Sequence, residues 1–138
     1  MQNDCLFCKI IAGEIPAHKV YEDGLFLAIM DAFPTTRGHV LILPKTHAQD
    51  LYDLPAETAA AILPLAQKLA ARIKAAFEPN GLNIIQNNGA AAGQAIFHYH
   101  MHLIPRWEGD GAVRQGKPLQ VAPEELAKQA VEMVAIRG

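Results

Sequence analysis

His98-Tyr99-His100-Met101-His102-Leu103-Ile104 is the stretch on which the reading of this chain turns. Three of the chain's six histidines stand here at alternate positions, with Tyr99 and Met101 between them and an apolar pair behind. Successive side chains of a β-strand point to opposite faces. As a strand, the segment sets His98, His100 and His102 on one face and Tyr99, Met101 and Leu103 on the other. Wound as a helix, the same residues would scatter around the circumference. The segment therefore reads as a half-buried strand, from about Ile96 to Arg106, that turns three imidazoles toward a cleft or a bound group.

Outward from this strand, the chain divides into short elements. Upstream, Leu82 to Gln86 reads as a strand, and Asn87 to Gln94 as a loop of small residues. Before these, a helix is expected from about Leu54 to Phe77, with Asp53 as N-cap and a core stripe of Ile62, Ala66, Leu69, Ile73 and Phe77. Pro64 lies inside it and should kink it, and Glu78-Pro79-Asn80-Gly81 ends it. Lys19 to Glu22, Leu25 to Met30 and His39 to Leu43 read as strands, the first two joined by the hairpin signal Asp23-Gly24. A short helix of two turns at most is expected within Cys5 to Gly13, from the spacing of Leu6 or Phe7, Ile10 and Ile11, with Gly13 as its stop. Beyond Arg106, Gly109 to Pro118 reads as a mobile glycine-rich loop. A last helix, from about Pro123 to Ile136, is expected to bury Leu126, Ala130, Met133 and Val134. This order predicts one α+β domain over residues 1–138. It has an antiparallel sheet of about five strands, one long central helix, shorter N- and C-terminal helices, and residues 107–138 packing as loop plus helix.

Composition narrows the function classes. The chain of 138 residues is 51% hydrophobic and 19% charged, an ordinary globular balance. A formal net charge of −2 gives no footprint for nucleic-acid polymers, though a nucleotide-sized ligand needs only a local phosphate site. No apolar run approaches the roughly 20 residues of a membrane span, and the N-terminus lacks a signal-peptide core. With two cysteines close together and no disulfide framework, a cytoplasmic location is the expectation.

His100, at the centre of the triplet, can act as nucleophile, general base or metal ligand once its other nitrogen is held. Gly89, Gly93 and Gln94 lie just upstream, where backbone N–H groups can approach anionic oxygens. A nucleophilic histidine beside such a loop points to phosphoryl or nucleotidyl transfer. Cys5 and Cys8 have metal or redox spacing. From spacing alone a zinc site with two further histidines, a redox pair and inert buried cysteines all stay open. Asp31, closing a strand, either caps the next loop or binds a ligand hydroxyl pair.

Several blocks together carry a resemblance. They are His98-x-His100-x-His102, Asn87-x-Gly89 and Gly93-Gln94 upstream of it, and the start Cys5-x-Phe7-Cys8-Lys9-Ile10-Ile11-x-Gly13-Glu14-Ile15-Pro16. The block Gly38-His39-Val40-Leu41-Ile42-Leu43-Pro44-Lys45-x-His47 completes the set. The chain up to Arg106 resembles the histidine-triad (HIT) superfamily, and within it the bacterial zinc-containing branch near the Hint nucleoside phosphoramidases. The resemblance implies a homodimer whose sheets join and a purine nucleotide substrate: a nucleoside 5′-phosphoramidate, an adenylylated lysine or a dinucleoside polyphosphate. It implies His100 as the nucleophile at the α-phosphorus, giving a nucleotidyl-histidine that water hydrolyses. His102 and Gln94 would hold phosphate oxygens beside Asn87 and the Gly93 amide, and His39 and His98 would orient the nucleophile. Asp31 would accept the ribose hydroxyls, with Leu6, Phe7, Ile10 and Leu41 around the base. Cys5, Cys8, His47 and His98 would hold a structural zinc. Ala95 departs from the pattern, standing where Hint-type members carry a serine near the leaving group.

Two other readings compete. The H-x-H strand can supply ligands to a catalytic zinc with a water in the open position, or the protein can be a nucleotide-binding module without turnover.

Overall fold

Strands whose side chains are apolar at every position must be covered on both faces, and the middle of this fold is built that way. The computed structural model describes residues 4–112 and 116–136. Its five strands are β1 (Lys19–Glu22), β2 (Phe26–Met30), β3 (Val40–Pro44), β4 (Gly81–Ile85) and β5 (Met101–Arg106). They form one antiparallel sheet in the order β1-β2-β3-β5-β4. Three α-helices accompany them: α1 (Leu6–Ile11), α2 (Ala56–Phe77) and α3 (Pro123–Ala135). This is the α+β architecture that the sequence predicts.

The two faces sort by parity. Phe26, Ala28, Val40, Ile42, Met101 and Leu103 pack beneath Ile62, Leu65, Ala66, Leu69 and Ile73 of α2. Leu27, Ile29, Leu41 and Leu43 face the other way, against Phe7 and Ile10 of α1. Burying each such side chain stabilises the fold by roughly 1.5–3 kcal/mol. Pro64 sits on the exposed side of a continuous α2, where water can satisfy the carbonyl its ring leaves unpaired. Gly38 adopts φ +84°, and a Cβ there would stand 2.7 Å from the Phe77 ring, so glycine lets the end of α2 close onto the sheet. No helix among the described residues is long and apolar enough to cross a membrane.

Three expectations need correction. The histidine strand begins at Met101, not near Ile96. Continuing the β3–β5 register upstream would set Tyr99 against Pro44, which has no N–H to give. Tyr99 instead donates its N–H to the Ala48 carbonyl at 2.7 Å. The side-chain alternation survives this exit from the ladder, since Tyr99 still packs with Met101 and Leu103. Second, Asp53 does not cap α2. It closes a 3-10 turn at Leu51–Asp53 by accepting from the N–H groups of Asp50 (3.0 Å) and Gln49 (3.1 Å), and α2 starts at Ala56 without a side-chain cap. Third, α3 forms where expected but buries none of its residues: Leu126 is 52% exposed, Met133 76% and Val134 84%. The expected glycine-rich loop at 109–118 falls partly on residues 113–115, outside the described residues.

Candidate active site and metal centre

Two clusters of imidazoles meet at His98, whose ring joins the first and whose backbone carbonyl holds a member of the second. The first gathers at the N-terminus of α1. One helical turn sets Cys5 and Cys8 side by side, with the Cys5 Sγ accepting from the Cys8 N–H at 3.3 Å. His47 enters from the loop after β3. Cys5 Sγ and Cys8 Sγ are 3.4 and 3.5 Å from His98 Nδ1, Cys8 Sγ is 3.4 Å from His47 Nδ1, and the two Nδ1 atoms are 3.1 Å apart. Zinc–nitrogen bonds of about 2.0–2.1 Å and zinc–sulfur bonds of about 2.3 Å give tetrahedral edges of about 3.3–3.8 Å. The donor set therefore fits a zinc ion in chemistry and in size, and all four donor atoms lie within 4.8 Å of one another. His98 Nε2 is 2.8 Å from the Pro44 carbonyl, which can only accept. That bond puts the His98 proton on Nε2 and aims the Nδ1 lone pair into the cluster.

The second cluster is a chain whose protons can be assigned from its ends. The Thr35 N–H donates to His39 Nδ1 at 3.0 Å, so His39 carries its proton on Nε2. His39 Nε2 stands 2.9 Å from His102 Nδ1 and 3.3 Å from Asp31 Oδ2. His39 therefore donates, His102 accepts at Nδ1, and the His102 proton sits on Nε2. His100 has the opposite arrangement. Its Nδ1 is 2.7 Å from the backbone carbonyl of His98, so Nδ1 donates and Nε2 keeps the lone pair. Neighbouring imidazoles thus offer one nucleophilic nitrogen and one N–H donor. His39 touches His102 rather than His100, and His98 holds His100 through its carbonyl, its ring being turned to the cysteines. Asp31, His39 and His102 also converge closely enough to hold a cation, but His100 belongs to neither donor group, so His98 and His100 do not share a metal here.

Both imidazoles open onto a cleft of about 470 Å³, ordinary for a small-ligand site. Leu6, Phe7, Ile10, Leu41 and Asp31, the residues the resemblance assigns to base and ribose, line it with His100 and His102. Asp31 both caps and faces the cleft: Oδ1 accepts from the Phe33 N–H at 2.8 Å, while Oδ2 stays beside His39. Pro16, Ile29, Phe33 and Ile96 also form its walls, and these went unread; Ala95, singled out above as a departure from the family pattern, lines it as well. Parity was the available signal for Ile29, which shares its strand face with Leu27 and Asp31. Asn87, Gly93 and Gln94 do not line the cleft. Gln94 is buried and spends its amide on the backbone, accepting from Gly89 N–H (2.7 Å) and donating to Gln49 O (2.7 Å) and Ile96 O (3.1 Å). The Gly93 N–H donates to Ala90 O at 3.0 Å, and the Asn87 amide reaches only Gly93 O, at 3.5 Å. The loop is braced internally, and Gln94 pins it to the loop carrying His47.

Comparison with known proteins shows the family. The HIT domain model matches residues 12–109. The chain belongs to the HIT family. It is 48% identical over 126 residues to the protein hit of Bacillus subtilis, covering 89% of this chain and 87% of that one. It is 41% identical to the Schizosaccharomyces pombe adenosine 5′-monophosphoramidase hnt1 (88% and 90% covered) and 42% identical to the Arabidopsis thaliana adenylylsulfatase HINT3 (98% and 68%). The crystal structure of a HIT family member from Bacillus subtilis superposes with a TM-score of 0.90 at 40% identity, covering 99% of both chains. A zinc-bound histidine triad family protein from Mycobacterium smegmatis gives 0.76 at 39% identity, covering 95% of both.

Burial keeps this HIT site in the neutral form that its hydrogen bonds require. Desolvation is the leading cause lowering the pKa of His39, His98, His100 and His102, and it outweighs the attraction of Asp31 for protons on His39, His100 and His102. His102 is pushed down to about 4, with His100 and His39 adding to the burial. Unfolded His102 binds a proton near pH 6.5, whereas the folded residue refuses it until about pH 4. Between those values the unfolded state holds more protons, so stability falls as pH drops from about 6.5 to about 4. Urea titrations of chelated protein across that window should show this acid limb, with its slope reduced by about one proton in His102→Gln. An unchanged slope in the variant would contradict the assignment.

Proposed function

We propose that this HIT protein hydrolyses purine nucleoside 5′-phosphate derivatives through a covalent nucleotidyl-histidine on His100. The observation that carries the reading is the opposed protonation of the two cleft imidazoles. His100 Nε2 has the lone pair to attack the α-phosphorus, and His102 Nε2–H beside it can donate to the oxygen on which charge builds. The N–P bond to His100 forms as the bond to the leaving group breaks, and the leaving amine or phosphate takes its proton from solvent, since Ala95 has no hydroxyl. Water then cleaves the N–P bond and restores neutral His100. The enzyme names of the fission yeast and plant relatives support nucleoside phosphoramidates and adenylyl conjugates as substrates, and dinucleoside polyphosphates share the same α-phosphorus. AMP release from each, followed by chromatography, is the direct test. Tight AMP binding with no release from any would leave a binding module.

Asp31 is assigned to the ribose hydroxyls, because it is the carboxylate lining the cleft. Asp31→Ala should weaken AMP by roughly 1–3 kcal/mol through the lost charge-assisted bonds. Calorimetry with 2′-deoxy-AMP separates this role from general damage: an equal loss for the deoxy ligand would count against it. Cys5, Cys8, His47 and His98 are assigned as zinc ligands, the ion supplying a structural cross-link between α1, the β3 loop and the histidine segment. The enzyme is proposed to be a homodimer joined through its open sheet edge at β4, where Ile84 is 48% exposed. A sedimenting mass equal to one 15.0 kDa chain would exclude the dimer.

A further inference from the structure

The cysteine cluster differs from the triad in being open to solvent on one side. Next to the cleft lies a second hollow of about 380 Å³, which shares Leu6, Ala95 and Ile96 with it, and Cys5 and His47 line that hollow. We propose that Cys5 and Cys8 form a peroxide-sensitive dithiol whose oxidation to a disulfide discharges the zinc and weakens nucleotide binding in the cleft. The proposal rests on the zinc-site and nucleotide readings and adds a chemical control over both.

Access separates the two sulfurs. Cys5 is part-exposed at the hollow, whereas Cys8 is 1% exposed. A small oxidant therefore meets Cys5 first. Cys8 lies one helical turn on, with its sulfur within 4.8 Å of that of Cys5, in place to act as the resolving thiol. The Cys5 thiolate attacks one peroxide oxygen, giving a sulfenic acid and a hydroxide that solvent protonates. The Cys8 thiolate then attacks the Cys5 sulfur and displaces the second oxygen as hydroxide, also protonated by solvent, as the disulfide closes. Two thiolates have lost two electrons, and one peroxide has become two waters. The site is left with two imidazoles, too few donors to keep the ion.

The same sulfurs seat the helix that walls the cleft. Among the described residues, the hydrogen bonds tying α1 and its cap Cys5 to the fold beyond Ile15 all run through Cys5 Sγ and Cys8 Sγ, to His98 and His47. Between the two cysteines stand Leu6 and Phe7, both lining the cleft. The Phe7 ring is edge-on to His98, with centroids 5.9 Å apart, and to His100, at 5.0 Å. In the reduced protein both sulfurs stay on the imidazoles, through the metal or, without it, through S–H···N bonds. In the disulfide each sulfur is turned to the other and has no proton to donate, so α1 keeps only its apolar packing. Oxidation therefore loosens the Phe7 wall of the cleft, which removal of zinc alone leaves in place.

Calorimetry with AMP on three forms, each well below its melting temperature, tests this: the zinc-loaded protein, the chelated and reduced protein, and the zinc-loaded protein treated with hydrogen peroxide. Peroxide should release one equivalent of zinc to a chromophoric chelator. The tryptic peptide ending at Lys9, which holds both cysteines, should lose two hydrogens. AMP affinity should fall roughly tenfold or more in the oxidised form, stay within a few-fold in the chelated form, and return with a thiol reductant and zinc. Cys8→Ser should carry added oxygen on Cys5 in place of the disulfide. Zinc retained under peroxide, oxygen added to wild-type Cys5 without a disulfide, or equal AMP affinity in the oxidised and chelated forms would overturn the proposal. Failure of AMP to bind the zinc-loaded protein would overturn the nucleotide reading and the coupling with it, an outcome that zinc release and the peptide mass distinguish from failure of the dithiol.

Discussion

His100→Ala is expected to lose roughly ten-thousandfold or more of the turnover of adenosine 5′-phosphoramidate while keeping AMP affinity within a few-fold. The two effects separate because the attacking nitrogen and the binding surface are different parts of the site. Removing a covalent nucleophile deletes the only route through the intermediate. Ribose and base, by contrast, are proposed to be held by Asp31 and by Phe7, Ile10 and Leu41, none of which the substitution removes. His100 is buried, and its ring packs edge-on against Phe7 with centroids 5.0 Å apart, so alanine opens a cavity there. His100→Asn fills part of that space and should be just as inactive. Turnover that persists in either variant would move the chemistry to another residue.

Removal of the proposed zinc is the second large expected effect, and it should fall on the fold. Cys5, Cys8, His47 and His98 come from three separate segments. The histidine segment is otherwise tied to the end of β3 and the chain after it by His98 Nε2–H to Pro44 O, Tyr99 N–H to Ala48 O and Gln94 to Gln49 O. A chelator should lower the melting temperature by roughly 10 °C or more, with Cys8→Ser matching it and gaining nothing from added zinc. Turnover per folded molecule at low temperature should fall far less. The opposite pattern, an unchanged melting temperature with abolished turnover, would make the metal catalytic.

Much of the site was readable because parity needs only an extended backbone. His100 and His102 share a face whether or not the ladder reaches them, so the triplet placed them correctly although β5 starts at Met101. Parity does not say what each ring touches. His98 turns its ring into the cysteine cluster because loop 45–48 folds back over it, a tertiary contact that alternation cannot reveal. The start of α2 was misread for a local reason. Pro55 keeps Leu54 extended, at φ −65° and ψ 126°, so a helix beginning at Leu54 was excluded by the residue after it. Helical periodicity likewise identified the stripe of α3 but not whether anything covers it. At Gln94, the resemblance implied a phosphate contact, whereas the buried amide here is hydrogen-bonded to the Gln49 and Ile96 carbonyls and the Gly89 N–H.

The central claim is that His100 becomes nucleotidylated, and intact-protein mass spectrometry after a rapid, acid-free quench with adenosine 5′-phosphoramidate addresses it directly. The account predicts a transient adduct of one AMP on the wild-type chain that disappears as substrate is consumed and never forms in His100→Ala. Turnover without any adduct, abolished by a chelator that leaves the fold intact, would contradict it.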